Sequence, residues 1–208
     1  MTRRQIFIFC AGIIACVVVA WALVAFVSQH RPTRVAQGGA VMITPAAQIG
    51  GPFTLTDHTG KRVSDTDFRG RYMLIYFGYT FCPDVCPTEL QTIARAMEIL
   101  GDDGKNIVPV FISVDPARDT VAAVKDYVAA FHPRMVGLTG SKADVEAAAK
   151  AYKVYARKAP GTEDGANDYL VDHTSHIYLV GPDGKVAALF KGGTRPETLA
   201  KELERLTE

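Results

Sequence analysis

The chain has 208 residues, 48% of them hydrophobic, with 23 basic against 22 acidic side chains and a formal net charge of +1. That near-neutral balance excludes a nucleic-acid binder, which shows a basic excess, and a chain dominated by an acidic disordered tail. Its four cysteines are too few for a disulfide scaffold at this length.

The first feature is the run IFIFCAGIIACVVVAWALVAFV, Ile6 to Val27, 22 residues without a charged side chain. As a helix it reaches roughly 33 Å, about one bilayer core. A cleaved signal has an apolar stretch of about 7 to 15 residues ending in small side chains. This run is longer and ends in Trp21, Leu23, Phe26 and Val27, so it predicts an uncleaved transmembrane anchor in which Cys10 and Cys16 are ordinary helix residues. Arg3, Arg4 and the α-amino group precede it, against Arg31 and Arg34 after it. That bias predicts a single-pass protein of the cell inner membrane, N-terminus in the cytoplasm and C-terminal domain in the periplasm. Residues 28–48 include Pro32, Gly38, Gly39 and Pro45 and carry no periodicity. They read as a flexible linker with an end-to-end distance of roughly 25 Å. The expected organisation is a cytoplasmic stub and anchor over 1–27, a linker over 28–48 and one domain over 49–208, without internal repeats.

Within the domain, Phe53 to Thr56 and Lys61 to Val63 flank the turn residues Asp57 to Gly60 and predict a hairpin. Tyr72 to Phe77 and Ile107 to Val114 are continuous apolar runs of strand length, suited to strands covered on both faces. Pro109 fits poorly in a central strand and marks either its beginning or a bulge. Between these runs Leu90, Ile93, Met97 and Leu100 recur at helical spacing behind Pro87. Asp119-Thr120 is positioned to cap a helix carrying Val121, Val124, Val128 and Phe131, and Ser141 opens another that extends to about Tyr155. Ile177 to Val180 and Lys185 to Phe190 flank Gly181-Pro182-Asp183-Gly184, a strong turn signal. A last amphipathic helix carries Leu199, Leu203 and Leu206. The order predicts an α/β fold, a mixed parallel and antiparallel sheet flanked by helices.

The two cysteines outside the apolar run are Cys82 and Cys86, in FGYTFCPDVCPTEL. They follow a buried strand and lead into a helix, at the carboxyl edge where open α/β sheets place their ligands. Pro87 suits the first helical position, which puts Cys86 at or beside the N-cap, where the helix dipole stabilises a thiolate. Two thiols four residues apart can close a disulfide or chelate one metal ion. A nitrogen ligand would have to come from His30, His58, His132, His173 or His176. His30 falls in the linker, His58 in a turn and His132 at a helix end. His173 and His176 stand at the entrance to the Ile177 strand, three residues apart, and in extended chain face opposite sides, so only one can easily meet the thiols.

FGYTFCPDVCPTEL, SVDPARDT (Ser113 to Thr120) and YLVDHTSHIYLVGPDG (Tyr169 to Gly184), in that order, resemble the SCO/SenC family of copper-binding, thioredoxin-fold proteins that help assemble cytochrome c oxidase. The resemblance covers the domain from about Ile49 and includes the N-terminal anchor. It implies a thioredoxin-like fold, copper as Cu(I) and also Cu(II), and a metal site made of Cys82, Cys86 and His173. Phe81 stands where some members carry a histidine, and His176 where the motif fixes none. The implied function is a membrane-anchored copper metallochaperone that helps metallate the dinuclear copper site of oxidase subunit II, with no catalytic residue. Its partners would be that subunit, a copper donor and a thiol reductant, and no nucleic acid. The alternative within the same resemblance is a thiol–disulfide oxidoreductase in which Cys82 and Cys86 are the redox-active pair. Two sulfurs and one nitrogen suit a three-coordinate cuprous ion, whereas zinc asks for a fourth ligand. Asp115 and Asp172 are candidates to orient the ligands. VCPTE, Val85 to Glu89, also resembles a peroxiredoxin element, but Pro83 stands where that family has a threonine.

Overall fold

The computed structural model describes residues 41–42, 49–159 and 169–208. The expected anchor, Ile6 to Val27, lies outside the described residues. Among those that are described, no helix is long and apolar enough to cross a membrane.

The strands are β1 (Val41–Met42), β2 (Thr54–Asp57), β3 (Arg62–Ser64), β4 (Tyr72–Gly78), β5 (Ile107–Ser113), β6 (Val136–Thr139), β7 (Ala156–Lys158), β8 (Val171–His173), β9 (Ile177–Val180) and β10 (Val186–Phe190). The helices are α1 (Val85–Leu100), α2 (Val121–Ala129), α3 (Lys142–Ala151) and α4 (Pro196–Thr207). Eight strands form one sheet in the order β1-β10-β9-β4-β5-β6-β2-β3, and β7 and β8 form a separate ribbon. The central β4, β5 and β6 run parallel, and β9 lies antiparallel to β4. This is the mixed sheet expected. β1, within the stretch read as linker, pairs with β10.

Alternation along β4 explains its unbroken apolar sequence. Leu74 and Tyr76 face α1, α2 and α4, while Met73, Ile75 and Phe77 face α3 and the β2–β3 hairpin, so both faces are covered. α1 buries Leu90, Ile93, Met97 and Leu100 and ends at Gly101, whose φ of 52° lies in the left-handed region. Thr120 caps α2, accepting from Ala123 N at 3.2 Å, and Ser141 caps α3 through Asp144 N at the same distance, as the sequence predicts.

Pro109 proves to be inside β5, opposite Leu74 of β4. β6 pairs with β5 only from Val110 onward, so the proline lies before that half of the ladder. β6 itself is absent from the sequence reading. Its centre is Gly137, where a Cβ would come within 2.4 Å of Val124 and 2.9 Å of Val128. The close seat of α2 on the sheet therefore demands glycine, the residue that hides a strand from propensity.

Candidate metal centre

β4 ends at Gly78, and α1 begins at Val85 after six intervening residues. Asp84 is the N-cap, so Val85, Cys86 and Pro87 are the first three helical residues. Backbone N–H groups here have no intrahelical partner, which is why Pro87 is tolerated at the third position rather than the expected first. Cys86 is fully buried, and Cys82, in the loop, is partly exposed.

This placement reverses the expectation about which sulfur the helix start favours. Cys86 N donates to Cys82 Sγ at 3.4 Å. Burial alone would raise the Cys82 pKa, but bonds from the Cys86 and Asp84 backbone and from the Cys86 and Tyr79 side chains outweigh it and hold the thiol below its ordinary value. Cys86 is pushed well up, chiefly by burial. The N–H groups of the helix start thus serve the loop sulfur of Cys82, and Cys86, two positions past the N-cap Asp84, lies too far inside to receive them.

His173 arrives on the β7–β8 ribbon, opposite Ala156. Its Nδ1 lies 3.1 Å from the Thr174 carbonyl, which can only accept, so Nδ1 carries the proton and Nε2 presents its lone pair. Nε2 stands 3.2 Å from Cys86 Sγ. The ring is held edge-on by Tyr76 and Tyr79, with centroids 6.1 and 5.8 Å away. Burial lowers the His173 pKa, opposed by the Thr174 carbonyl and the charge of Asp172, which keeps the imidazole neutral and able to ligate.

Cys82, Cys86 and His173 thus bring one sulfur, one sulfur and one nitrogen within 4.8 Å of one another, the one such group of metal-ligating side chains among the described residues. His176 stands apart, its ring 6.5 Å from Tyr178. His58, read as a turn residue, accepts from Gly137 N at 3.1 Å and so joins the hairpin to β6. His132 accepts from Arg134 N at 3.1 Å. A soft S₂N set, with no fourth protein ligand among the described residues, is the donor chemistry of cuprous copper rather than zinc.

Several residues that shape the site left no signal in the sequence. Asp119, read as part of a helix cap, instead turns inward and is 1% exposed. It accepts from Thr80 N at 3.1 Å, Thr80 Oγ1 at 2.6 Å and Ser113 Oγ at 2.6 Å, anchoring the loop just ahead of Cys82. Tyr79 Oη accepts from Val171 N at 3.2 Å, tying that loop to β8. Gly78 leaves room for the site: a Cβ there would stand 2.9 Å from Cys86 Sγ and from the Tyr76 ring. Asp172 is exposed, and Asp115 is buried against Arg118 and Tyr169.

Residues 41–208 match the SCO1/SenC family model. The chain belongs to the SCO1/SenC family. It is 45% identical over 157 residues to the human mitochondrial SCO1 homolog, covering 74% of this chain and 52% of that protein. The chain therefore spans about half the length of such curated relatives. The copper-bound structure of Bradyrhizobium japonicum ScoI superposes with a TM-score of 0.69 at 46% identity, covering 76% of this chain and 99% of that one. BsSco, a member of the Sco family of cytochrome c oxidase assembly proteins in which a disulfide switch was identified, superposes with a TM-score of 0.63 at 27% identity, covering 80% and 97%. The SCO1/SenC likeness spans the thioredoxin-like sheet, its helices and all three candidate ligands.

Proposed function

We propose that this SCO1/SenC protein is a copper metallochaperone that holds Cu(I) through Cys82, Cys86 and His173 and helps metallate the dinuclear copper site of cytochrome c oxidase subunit II. The observation that carries the reading is the convergence of two sulfurs and a neutral imidazole Nε2 within 4.8 Å, on the fold of relatives solved with copper bound. Copper here is cargo. Cys82 and His173 are both partly exposed, so a partner's thiolate or imidazole can reach the ion from one side and replace these ligands in turn, while Cys86 holds the ion from within. Uptake releases the thiol protons, so affinity rises with pH. In this reading Ile6 to Val27 anchors the chain in the inner membrane, the residues between it and β1 tether it, and the domain, whose sheet includes β1 at Val41–Met42, works in the periplasm. Cu(II) would be taken at the same three residues.

A second reading is favoured by the asymmetry of the two thiols. Cys82, partly exposed and with its pKa lowered, is suited to attack a disulfide of the acceptor, forming a mixed disulfide and releasing one acceptor thiolate. The Cys86 sulfur, once deprotonated, then displaces Cys82 from the acceptor, closing Cys82–Cys86 and releasing the second thiol. Two electrons pass to the acceptor, and a dithiol reductant must restore the pair. Complementation of an oxidase-assembly defect separates the two: His173→Ala abolishes copper delivery and spares thiol exchange, whereas Cys86→Ala abolishes both.

A further inference from the structure

The SVDPARDT segment supplies no ligand, yet its Arg118 is the most heavily engaged side chain near the site. Its side chain is 8% exposed and lies among residues from three separate parts of the chain. Nε donates to Asp115 Oδ2 at 2.6 Å, within its own turn. Nη1 donates to the Tyr169 carbonyl at 2.8 Å, at the start of the segment that becomes β8. The guanidinium plane lies 3.6 Å from the Tyr169 ring centre, 4.7 Å from that of Phe81 and 5.7 Å from that of Tyr79. Tyr169 Oη closes the circuit by donating to Asp115 Oδ1 at 2.7 Å.

Phe81 immediately precedes Cys82, Tyr79 packs edge-on against His173, and Tyr169 lies four residues before His173. The loop with the exposed sulfur and the ribbon with the imidazole come from segments about ninety residues apart, and β8 is not part of the main sheet. Its ladder partner β7 is exposed at all three residues, so that ribbon alone cannot fix where His173 stands. We propose that Arg118 is the positioning residue of the site: gripping Tyr169 on one side and Phe81 and Tyr79 on the other, it sets the separation of Cys82 from His173. The task needs an arginine. A guanidinium can donate in its plane to Asp115 and to a carbonyl while both its faces stack on rings, whereas an ammonium offers no face.

The inference rests on the proposed copper site, and its test separates the two. The first arm uses the full chain, reduced and metal-free, with histidines isotopically labelled at Cε1 and the His173 signal identified by its loss in His173→Ala. The Tyr76 and Tyr79 rings displace that signal in the parent. In Arg118→Lys it should move toward the position of a solvated histidine, while the His58 signal, held against β6 by Gly137, stays in place; an unmoved His173 signal overturns the proposal. The second arm titrates Cu(I) against bicinchoninate. Arg118→Lys should weaken binding by about tenfold or more, but by less than about twofold when added to His173→Ala, because the two act through one contact. Equal losses in both backgrounds would show general loosening and overturn the proposal. A parent chain that binds no Cu(I) sinks the copper reading and leaves the His173 signal to decide the role of Arg118. Should Arg118→Lys not fold, Phe81→Leu, at an exposed position, gives the first readout: a smaller displacement in the same direction supports the proposal, and none overturns it.

Discussion

Cys86 Sγ and His173 Nε2 stand 3.2 Å apart across 87 residues of sequence. Cys86 is fixed by burial in the first turn of α1 and His173 by the Thr174 carbonyl and two tyrosine rings, so the pair meets before any metal is bound. Preorganisation of this kind keeps the entropy of assembling ligands out of the binding step.

Gly78 is expected to be a residue of the site, although it touches no ligand through a side chain. In Gly78→Ala the new Cβ would lie 2.9 Å from Cys86 Sγ and 3.2 Å from the Phe111 ring, so sulfur and ring must shift. Stability should fall by about 1–3 kcal/mol, and Cu(I) affinity of the remaining folded protein should fall too. Gly137→Ala meets Val124 at 2.4 Å on the other side of β5. It should destabilise by about 2–3 kcal/mol yet leave folded-state affinity unchanged. Urea unfolding with Cu(I) competition measures both; equal affinity loss in the two variants would contradict the assignment.

Glu89 carries a pH-dependent cost. It is 3% exposed; Oε1 accepts from Gly193 N at 2.6 Å, and Oε2 has no hydrogen-bond partner among the described residues. Burial raises its pKa above the ordinary 4.5, against the lowering effect of Gly193. Between the unfolded and folded values the native state keeps a proton that the unfolded chain has released, so this contribution to stability is full at low pH and is lost as pH rises through the folded pKa. Glu89→Gln keeps an acceptor for Gly193 and removes the charge. The variant should therefore gain on the parent as pH rises from about 4 to about 8. Urea midpoints across that range provide the measurement, and parallel profiles would show that folding does not raise the Glu89 pKa.

The two thiols should react in a fixed order. Cys86 has no exposed surface, whereas Cys82 is reachable. Limited alkylation of the reduced, metal-free chain followed by peptide mass analysis should find Cys82 modified first. Prior modification of Cys86 would contradict both the burial and the assignment of Cys82 as attacking sulfur.

Much of this arrangement is legible in the sequence. β4 and β5 announce themselves because burial on both faces leaves no charged residue in either run, and α2 and α3 are marked by caps at Thr120 and Ser141 that the structure uses as such. The three ligands are named by motif resemblance; of His173 and His176 only His173 stands with the thiols, but alternation is not the reason, since His173 ends β8 of the separate ribbon and residues 174–176 belong to no strand. Illegible were features whose cause is tertiary. β6 is hidden by Gly137, which exists to admit α2. The thiol whose pKa falls depends on a two-residue offset between the expected and the observed helix start, which puts the N-cap at Asp84 rather than Cys86. Asp119 reads as part of a helix cap and Arg118 carries no signal beyond its motif, because the rings and hydroxyls that bury them come from distant segments.

Cu(I) stoichiometry of the reduced full chain, measured against a chromophoric chelator, addresses the central claim most directly. One Cu(I) per parent chain is expected, with Cys82→Ala, Cys86→Ala and His173→Ala each losing the ion to the chelator under conditions where the parent retains it. Retention by all three variants at the parent's level would contradict the assignment of Cys82, Cys86 and His173 as the copper site.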